Sequence, residues 1–318
     1  MQNIYNHLPK ERYVGFYGFH RPLLLIRDPE LIRHVHIKDF GTFHDRGLFI
    51  DDEEPLNKHL FFLAGKKWRQ LRIKLSPTFT SGKLKGMFKQ STTASPYTAH
   101  KRLWMFATVS FSAHKNSITA RCLSQLSVED MAAQAFVFFA AGFETSSTAT
   151  SFTLHELALN PDIQSKLHDE IDAVLEENGE SLRKHPPAAV LNRECNQDYK
   201  IPDSDIVLEK RTPVVLSVLG LHHDPTHFPH TDRFDPERFS EEAKAKRHPY
   251  VYLPFGEGPR ICIGMRMGLL QTKVGLTNIL SKYSVRTTQK TVANLVYHPR
   301  SPVLMAKSGI HLQFVRRF

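Results

Sequence analysis

The decapeptide Phe-Gly-Glu-Gly-Pro-Arg-Ile-Cys-Ile-Gly, residues 255–264, holds the residue types best suited to chemistry in this chain, including one of its 3 cysteines. A helical pattern follows Cys262 directly, so its sulfur is predicted to face a helix N-terminus, where unpaired N–H groups and the helix dipole favour a thiolate. Gly258 and Gly264 lack Cβ atoms and let the backbone approach a flat, bulky group. Arg260 can reach an anionic edge of that group.

A planar, dianionic macrocycle with an axial cysteine meets these demands, and this favours haem as the ligand. Three alternatives stay open. A zinc site needs several Cys or His ligands at short spacing, and Cys195 is far away in sequence. A nucleophilic cysteine needs a base that the sequence does not locate, and a lone cysteine is commonly buried and inert.

Composition favours an ordinary globular protein, and the pattern of helical and strand-like segments along the chain predicts a mainly α fold with a minor β component. The chain has 318 residues, 41% of them hydrophobic, and a net charge of +10. Its basic residues are spread thinly, so no nucleic-acid partner is expected. No signal peptide or membrane span is visible in the sequence, because the longest apolar stretches are too short to cross a bilayer.

The central part of the chain is predicted to be helical. Ser127 and Asp130 form a capping box for a long helix that ends near Leu159. A second helix is expected from Pro161 to about Glu177, where Asn-Gly should stop it.

In this combination the chain resembles the cytochrome P450 family of haem-thiolate monooxygenases, most closely the insect microsomal, xenobiotic-metabolising branch. Besides the decapeptide, four further motifs follow the family's order. They are WRQLR at 68–72, AGFETS at 141–146, ESLR at 180–183 and PERF at 236–239.

The resemblance implies haem b as cofactor, with Cys262 as axial thiolate and metal ligand. The residues implied to contact the cofactor are Cys262, Phe255, Gly258, Arg260, Gly264, Trp68, Arg72 and Arg46. Trp68 and Arg72 are four residues apart and share one helical face, from which both can bond propionates.

The resemblance also assigns roles on the central helix. Ala141 and Gly142 make room for dioxygen, Thr145 holds a proton-delivering water, and Glu144 helps to supply protons. The alternative for the threonine is an ordinary hydrogen bond to the preceding helical turn.

A buried ion-pair network is implied for Glu180, Arg183 and Arg238, with a scaffolding role. By spacing alone, the first two residues would be an ordinary exposed helix pair. With Asn-Gly before it and Pro186 after it, the Glu-x-x-Arg segment is predicted to form little more than one helical turn.

The implied partners are O2, a lipophilic small-molecule substrate and an NADPH-dependent flavoprotein reductase. A basic patch on the WRQLR helix is either the reductase docking surface or a solvated face. The implied location is the cytosolic face of the endoplasmic reticulum membrane. Because no anchor is visible, any membrane association is expected to be peripheral.

The chain is predicted to be one haem-thiolate domain over 1–318, in which 11–88 and 127–318 resemble the family and 89–126 is an unmatched insert or linker. We expect it to lack the family's N-terminal anchor and part of the helical domain. An alternative function is therefore a non-catalytic, truncated or mis-spliced relative that at best binds haem.

Overall fold

The computed structural model describes residues 1–18, 20–48, 51, 53–80, 82, 126–169 and 174–317. Within these ranges the protein is mainly α-helical with a minor β part, as predicted. The α-helices are α1 (Gln2–His7), α2 (Pro29–Arg33), α3 (Gly65–Leu75), α4 (Val128–Leu159), α5 (Pro161–Asp169), α6 (Val174–Lys184), α7 (Val218–His222), α8 (Glu241–Lys246) and α9 (Met265–Leu280). The strands are β1 (Tyr13–Gly18), β2 (Arg21–Ile26), β3 (Val190–Glu194), β4 (Tyr199–Lys200), β5 (Val207–Leu208), β6 (Pro213–Ser217), β7 (Tyr283–Thr287) and β8 (Leu312–Arg316). The predicted insert, 89–126, lies outside the described residues except for its last position.

A four-stranded sheet joins the amino-terminal segment to residues 190–217. Its strand order is β1-β2-β6-β3, with β2 and β6 parallel and the other two pairings antiparallel. Strand β2 ends in a buried Leu24–Ile26 run, and β6 is equally apolar. Such runs are typical of strands covered on both faces. The sheet therefore fixes the amino-terminal segment, which leads to α3, against the segment that leads to the cysteine loop.

Helix α4 begins and ends as the sequence predicts. The Ser127 hydroxyl accepts from the Asp130 N–H at 3.0 Å, and the Asp130 carboxylate accepts from the Ser127 N–H at 3.2 Å. Ala133 and Gln134 are the buried residues of its amino-terminal half, whereas its last two turns are continuously buried. There, Leu154, Leu157 and Ala158 pack with residues of α9 and β7 in one hydrophobic cluster. No helix among the described residues has the length and apolar character needed to cross a membrane.

The predicted helix stop at Asn178 and Gly179 was wrong. Helix α5 is described as far as Asp169, and helix α6, Val174–Lys184, runs through Asn178 and Gly179. The Glu-x-x-Arg motif therefore lies in an 11-residue helix rather than in a single turn. Tertiary contacts outweigh the local stop signal, because the Tyr252 hydroxyl donates to the Gly179 carbonyl at 3.0 Å and the Phe239 ring packs against this glycine.

Replacing Gly179 with alanine should destabilise the protein despite alanine's higher helix propensity. An added Cβ would lie 2.8 Å from the Phe239 ring, and overpacking of this kind costs about 1–3 kcal/mol. Gly275 of α9 is a matched control, since a Cβ there meets only Thr150 Oγ1 at 4.0 Å. Gly275→Ala should raise stability by about 0.5–1 kcal/mol. Urea unfolding followed by circular dichroism measures both, and equal signs would contradict the explanation.

Candidate active site at the cysteine loop

Backbone hydrogen bonds close the loop around Cys262. Its N–H donates to the Phe255 carbonyl at 3.0 Å, and the Ile261 N–H donates to the Gly258 carbonyl at 2.9 Å. The Phe255 ring lies beside Gly268 of α9, since a Cβ on that glycine would be 3.9 Å from it. Helix α9 begins directly after its N-cap, Gly264. The predicted placement of the cysteine at a helix N-terminus is confirmed.

The surroundings of Cys262 act on its thiol in opposite directions. Its pKa is raised above the ordinary value, because burial outweighs the opposite effect of a hydrogen bond from the Gly264 N–H and of the charges of Arg72 and Arg46. The residue is nevertheless exposed to solvent. A side chain at the bottom of a concave surface can be surrounded by protein atoms and still be accessible to solvent from one side, which explains both the burial and the exposure of Cys262. Every polar influence on the sulfur favours the thiolate.

Gly258 has its own structural reason to be glycine. It has a φ of +74°, and a Cβ would lie 2.0 Å from the backbone carbonyl oxygen of His36. No side chain fits at that distance, so the cysteine loop rests directly on the segment that follows α2. At Gly264, by contrast, an added Cβ would meet nothing within 4 Å.

Arg260 braces the loop from the other side. Its guanidinium donates to the carbonyls of His44 and Leu63 and lies 4.2 Å from the centre of the Trp68 ring. It also pairs with Asp45 at 3.4 Å. Asp45 in turn accepts from the N–H of Gly65, the first residue of α3, at 2.7 Å. These contacts bring the loop and the Trp-x-x-x-Arg helix together.

Four arginines share this region, and most of their charge is uncompensated. Burial is the largest cause that lowers the pKa of Arg46 to about 10 and of Arg193 and Arg260 to about 9. The pKa of Arg72 is lowered for the same reason. Within the described residues, Asp45 is the one carboxylate that forms a salt bridge with any of the four. The arginines remain protonated at neutral pH, so the region is strongly electropositive.

Two of these arginines keep a buried donor without a partner. The Nε atoms of Arg46 and Arg193 have no hydrogen bond among the described residues. The Arg46 guanidinium lies 4.1 Å from the centre of the Phe61 ring. Buried donors are normally satisfied, so these atoms indicate an anionic ligand. Together with the cysteine, the donor set fits haem, which carries two propionates and an iron that accepts a thiolate.

Sequence reasoning missed three members of this region, Arg193, His36 and Asp45. Arg193 lies on β3, and its Nη2 is 3.0 Å from Nδ1 of His36. The two residues are 157 positions apart in sequence. No local motif marks such a pair, and only the sequence Asp45-Arg46-Gly47, which contains Asp45, gave a weak signal.

The predicted catalytic residues lie near the middle of α4, where the side chains are exposed or partly buried. Thr145 Oγ1 donates to the Ala141 carbonyl at 2.7 Å, which is the ordinary bond to the preceding turn. Glu144 is exposed, and Gly142 is partly buried. One residue further on, the Ser146 hydroxyl is 3.1 Å from Gln271 of α9. The structure therefore links this stretch to α9 and shows no hydrogen bond between the described α4 residues and the cysteine loop.

The three predicted network residues meet in one buried cluster. Arg183 Nε is 3.0 Å from both carboxylate oxygens of Glu180, and its Nη2 is 2.7 Å from Oε1. Arg238 Nε is 3.7 Å from the same carboxylate. Both side chains of the closer pair are 0% exposed. Arg183 also donates to the carbonyls of His222 and Thr231, each at 2.8 Å.

His222 connects this network to the start of the cysteine loop. Its Nε2 accepts from the Leu253 N–H at 2.9 Å, and its Nδ1 lies 3.1 Å from the Arg183 carbonyl. These bonds require the neutral imidazole with its proton on Nδ1. Burial, with the charge of Arg183, lowers the pKa of His222 to about 3.

Stability should therefore fall as the pH drops below 6.5. The unfolded chain binds a proton at His222 near pH 6.5, whereas the folded protein resists it down to about 3. At pH 5 this difference amounts to about 2 kcal/mol. The neighbouring His223, whose pKa burial lowers to about 4, acts in the same direction.

Urea unfolding between pH 7 and pH 5 measures this effect. His222→Gln should flatten the pH dependence, whereas His7→Gln, at an exposed histidine, should leave it unchanged. An unchanged slope in His222→Gln would show that another group titrates.

Comparison with known proteins agrees with this geometry. The cytochrome P450 family model matches residues 1–95 and 90–314. Cytochrome P450 6k1 of Blattella germanica is 32% identical over 96% of this chain and 84% of its own length. Probable cytochrome P450 6a13 of Drosophila melanogaster is 33% identical over 95% of this chain and 85% of its own length. Cytochrome P450 6B2 of Helicoverpa armigera is 32% identical over 100% and 88%.

The relatives contain more sequence between the aligned ends than this chain does. The alignment with cytochrome P450 6k1 runs over 443 positions, whereas the chain has 318 residues. The two matched ranges of the family model meet between residues 90 and 95. The family is established by the extent of these matches: the chain is a member of the cytochrome P450 family, an oxidoreductase of the monooxygenase class.

Proposed function

We propose that the chain is a haem-thiolate monooxygenase that inserts one oxygen atom from O2 into a lipophilic substrate, with electrons from an NADPH-dependent flavoprotein reductase. The observation that carries the proposal is the position of Cys262, at the N-terminus of α9 and within the influence of Arg46 and Arg72. The cofactor is haem b, and when bound it supplies the iron at which dioxygen is activated.

The residues around the loop would hold this cofactor in two ways. Cys262 would supply the thiolate ligand, and the Gly264 N–H would stabilise the sulfur charge. Arg46, Arg72 and Arg193 offer positive charge to the acidic side groups. The donors of Arg260 are hydrogen-bonded within the protein. Arg260 would therefore act indirectly, by holding the Trp68 ring against which its guanidinium lies.

The residues of α4 would move protons. The Thr145 hydroxyl gives its own hydrogen to the Ala141 carbonyl, so its oxygen lone pairs are left to accept from a water. Exposed Glu144 lies next to it and can exchange protons with solvent. Ala141 and Gly142 are small and leave room for dioxygen beside the helix. The site of action, by family resemblance, is the cytosolic face of the endoplasmic reticulum membrane.

The difference in aligned length favours a second candidate function, a relative that binds haem without turnover. The relatives hold segments that have no counterpart here, and these include part of the helical domain by our interpretation. The carbon monoxide difference spectrum of the reduced, haem-loaded protein tests haem-thiolate ligation. Substrate-dependent NADPH oxidation with a flavoprotein reductase then separates the two functions. A red-shifted Soret band without turnover would favour the second.

A further inference from the structure

We propose that His36 is a positioning residue that directs Arg193 towards an acidic group of the cofactor and keeps its charge available. The proposal rests on the proposed haem-binding function. It concerns a histidine that none of the motifs above includes, and it assigns that side chain a role at the cysteine loop.

The contact between the two side chains allows only one assignment of hydrogen-bond donor and acceptor. Arg193 Nη2 lies 3.0 Å from Nδ1 of His36, and both residues are buried, with exposures of 2% and 1%. Arginine has only donors, so Nδ1 must be the acceptor and the imidazole must be neutral. Burial and the charges of Arg193 and Arg46 hold the pKa of His36 well below its usual value, in agreement with the neutral form.

A neutral acceptor and a carboxylate differ in their effect on the charge of Arg193. A carboxylate at this position would orient Arg193 and also cancel its charge. The imidazole orients the guanidinium and leaves the charge intact. Arg193 Nη1 donates to the Asn192 carbonyl at 2.8 Å, and its Nε has no partner within the described part of the chain. The guanidinium is thus held at two nitrogens and offers the third.

The backbone around His36 is also unusual. Residues His34–Lys38 form a single π-helical turn directly after α2. Such turns are rare and occur frequently at functional sites. The His36 carbonyl of this turn is the group on which Gly258 rests. The same residue therefore contacts the cysteine loop through its backbone and Arg193 through its side chain.

Four variants test the assignment, namely His36→Leu, His36→Asn, Arg193→Gln and the double variant His36→Leu/Arg193→Gln. Leucine fills the space without an acceptor, whereas asparagine places an amide oxygen where Nδ1 lies. The measurement is the rate at which the haem-loaded protein loses haem to excess apomyoglobin. Far-UV circular dichroism and urea midpoints report whether each variant is folded.

We expect His36→Leu to lose haem about ten times faster, the effect of one hydrogen bond to a charged group. His36→Asn should restore the rate to within about twofold. In the Arg193→Gln background, His36→Leu should add nothing further. An equal acceleration in both backgrounds, or none in either, overturns the assignment. Wild-type protein that takes up no haem would overturn the proposed function itself, and with it this inference.

Discussion

Replacing Cys262 with histidine should abolish the red-shifted Soret band of the reduced carbon monoxide complex. The band depends on a strongly electron-donating thiolate opposite carbon monoxide, and imidazole is a neutral, weaker donor. The arginine cluster does not include the cysteine, so the haem should still bind. We therefore expect a near-complete shift of the band to shorter wavelength with most of the haem retained, measured by absorbance and haem content.

Cys195 provides the control for this experiment. It is fully buried in a hydrophobic cluster, and its Sγ donates to the Gln197 carbonyl at 2.8 Å. Cys195→Ser should keep the red-shifted band. A band that survives in Cys262→His would mean that another residue is the axial ligand, and the proposed site would be wrong.

Glu180→Gln should be the most destabilising single change in the ion-pair network. The pKa of Glu180 is raised, because burial outweighs the favourable charges of Arg183 and Arg238. Burial of this carboxylate therefore costs free energy. Removing its charge nevertheless leaves the Arg183 guanidinium, whose side chain is 0% exposed, without its charged partner. Loss of one partner from such a pair costs about 3–5 kcal/mol. Urea unfolding measures the change.

Two further variants make this prediction specific. Glu180→Gln/Arg183→Met should cost clearly less than the sum of its single changes, because each single change leaves a buried group unpaired. Glu241→Gln removes an exposed partner of Lys244 at 2.9 Å and should have no measurable effect. Additive costs in the double variant would show that the two side chains do not act as a pair.

Local signals predicted the elements whose limits are set locally. The ends of α4 follow from the Ser127 capping box and from Pro161, which begins the next helix. The placement of Cys262 followed equally from its glycines and the helix after it. In each case the deciding residues are neighbours in sequence, so the sequence contains the whole argument.

Long-range packing explains what the sequence did not predict. The local sequence predicts that a helix stops at Gly179, but contacts with the Phe239 ring and the Tyr252 hydroxyl hold this residue within α6. The link between His36 and Arg193 exists only after β3 meets the turn His34–Lys38. Hydrogen bonds of this kind depend on burial, which a linear pattern does not specify.

The contacts of Arg260 carry a consequence for the timing of synthesis. Its bond to the His44 carbonyl joins residues 216 positions apart, and a ribosome adds about 5–20 residues per second. His44 is therefore synthesised about 10–40 s before Arg260, its partner in the cysteine loop. During that interval the nascent chain cannot assemble the site, and haem can be captured only after translation has passed Cys262, which lies in the final third of the protein.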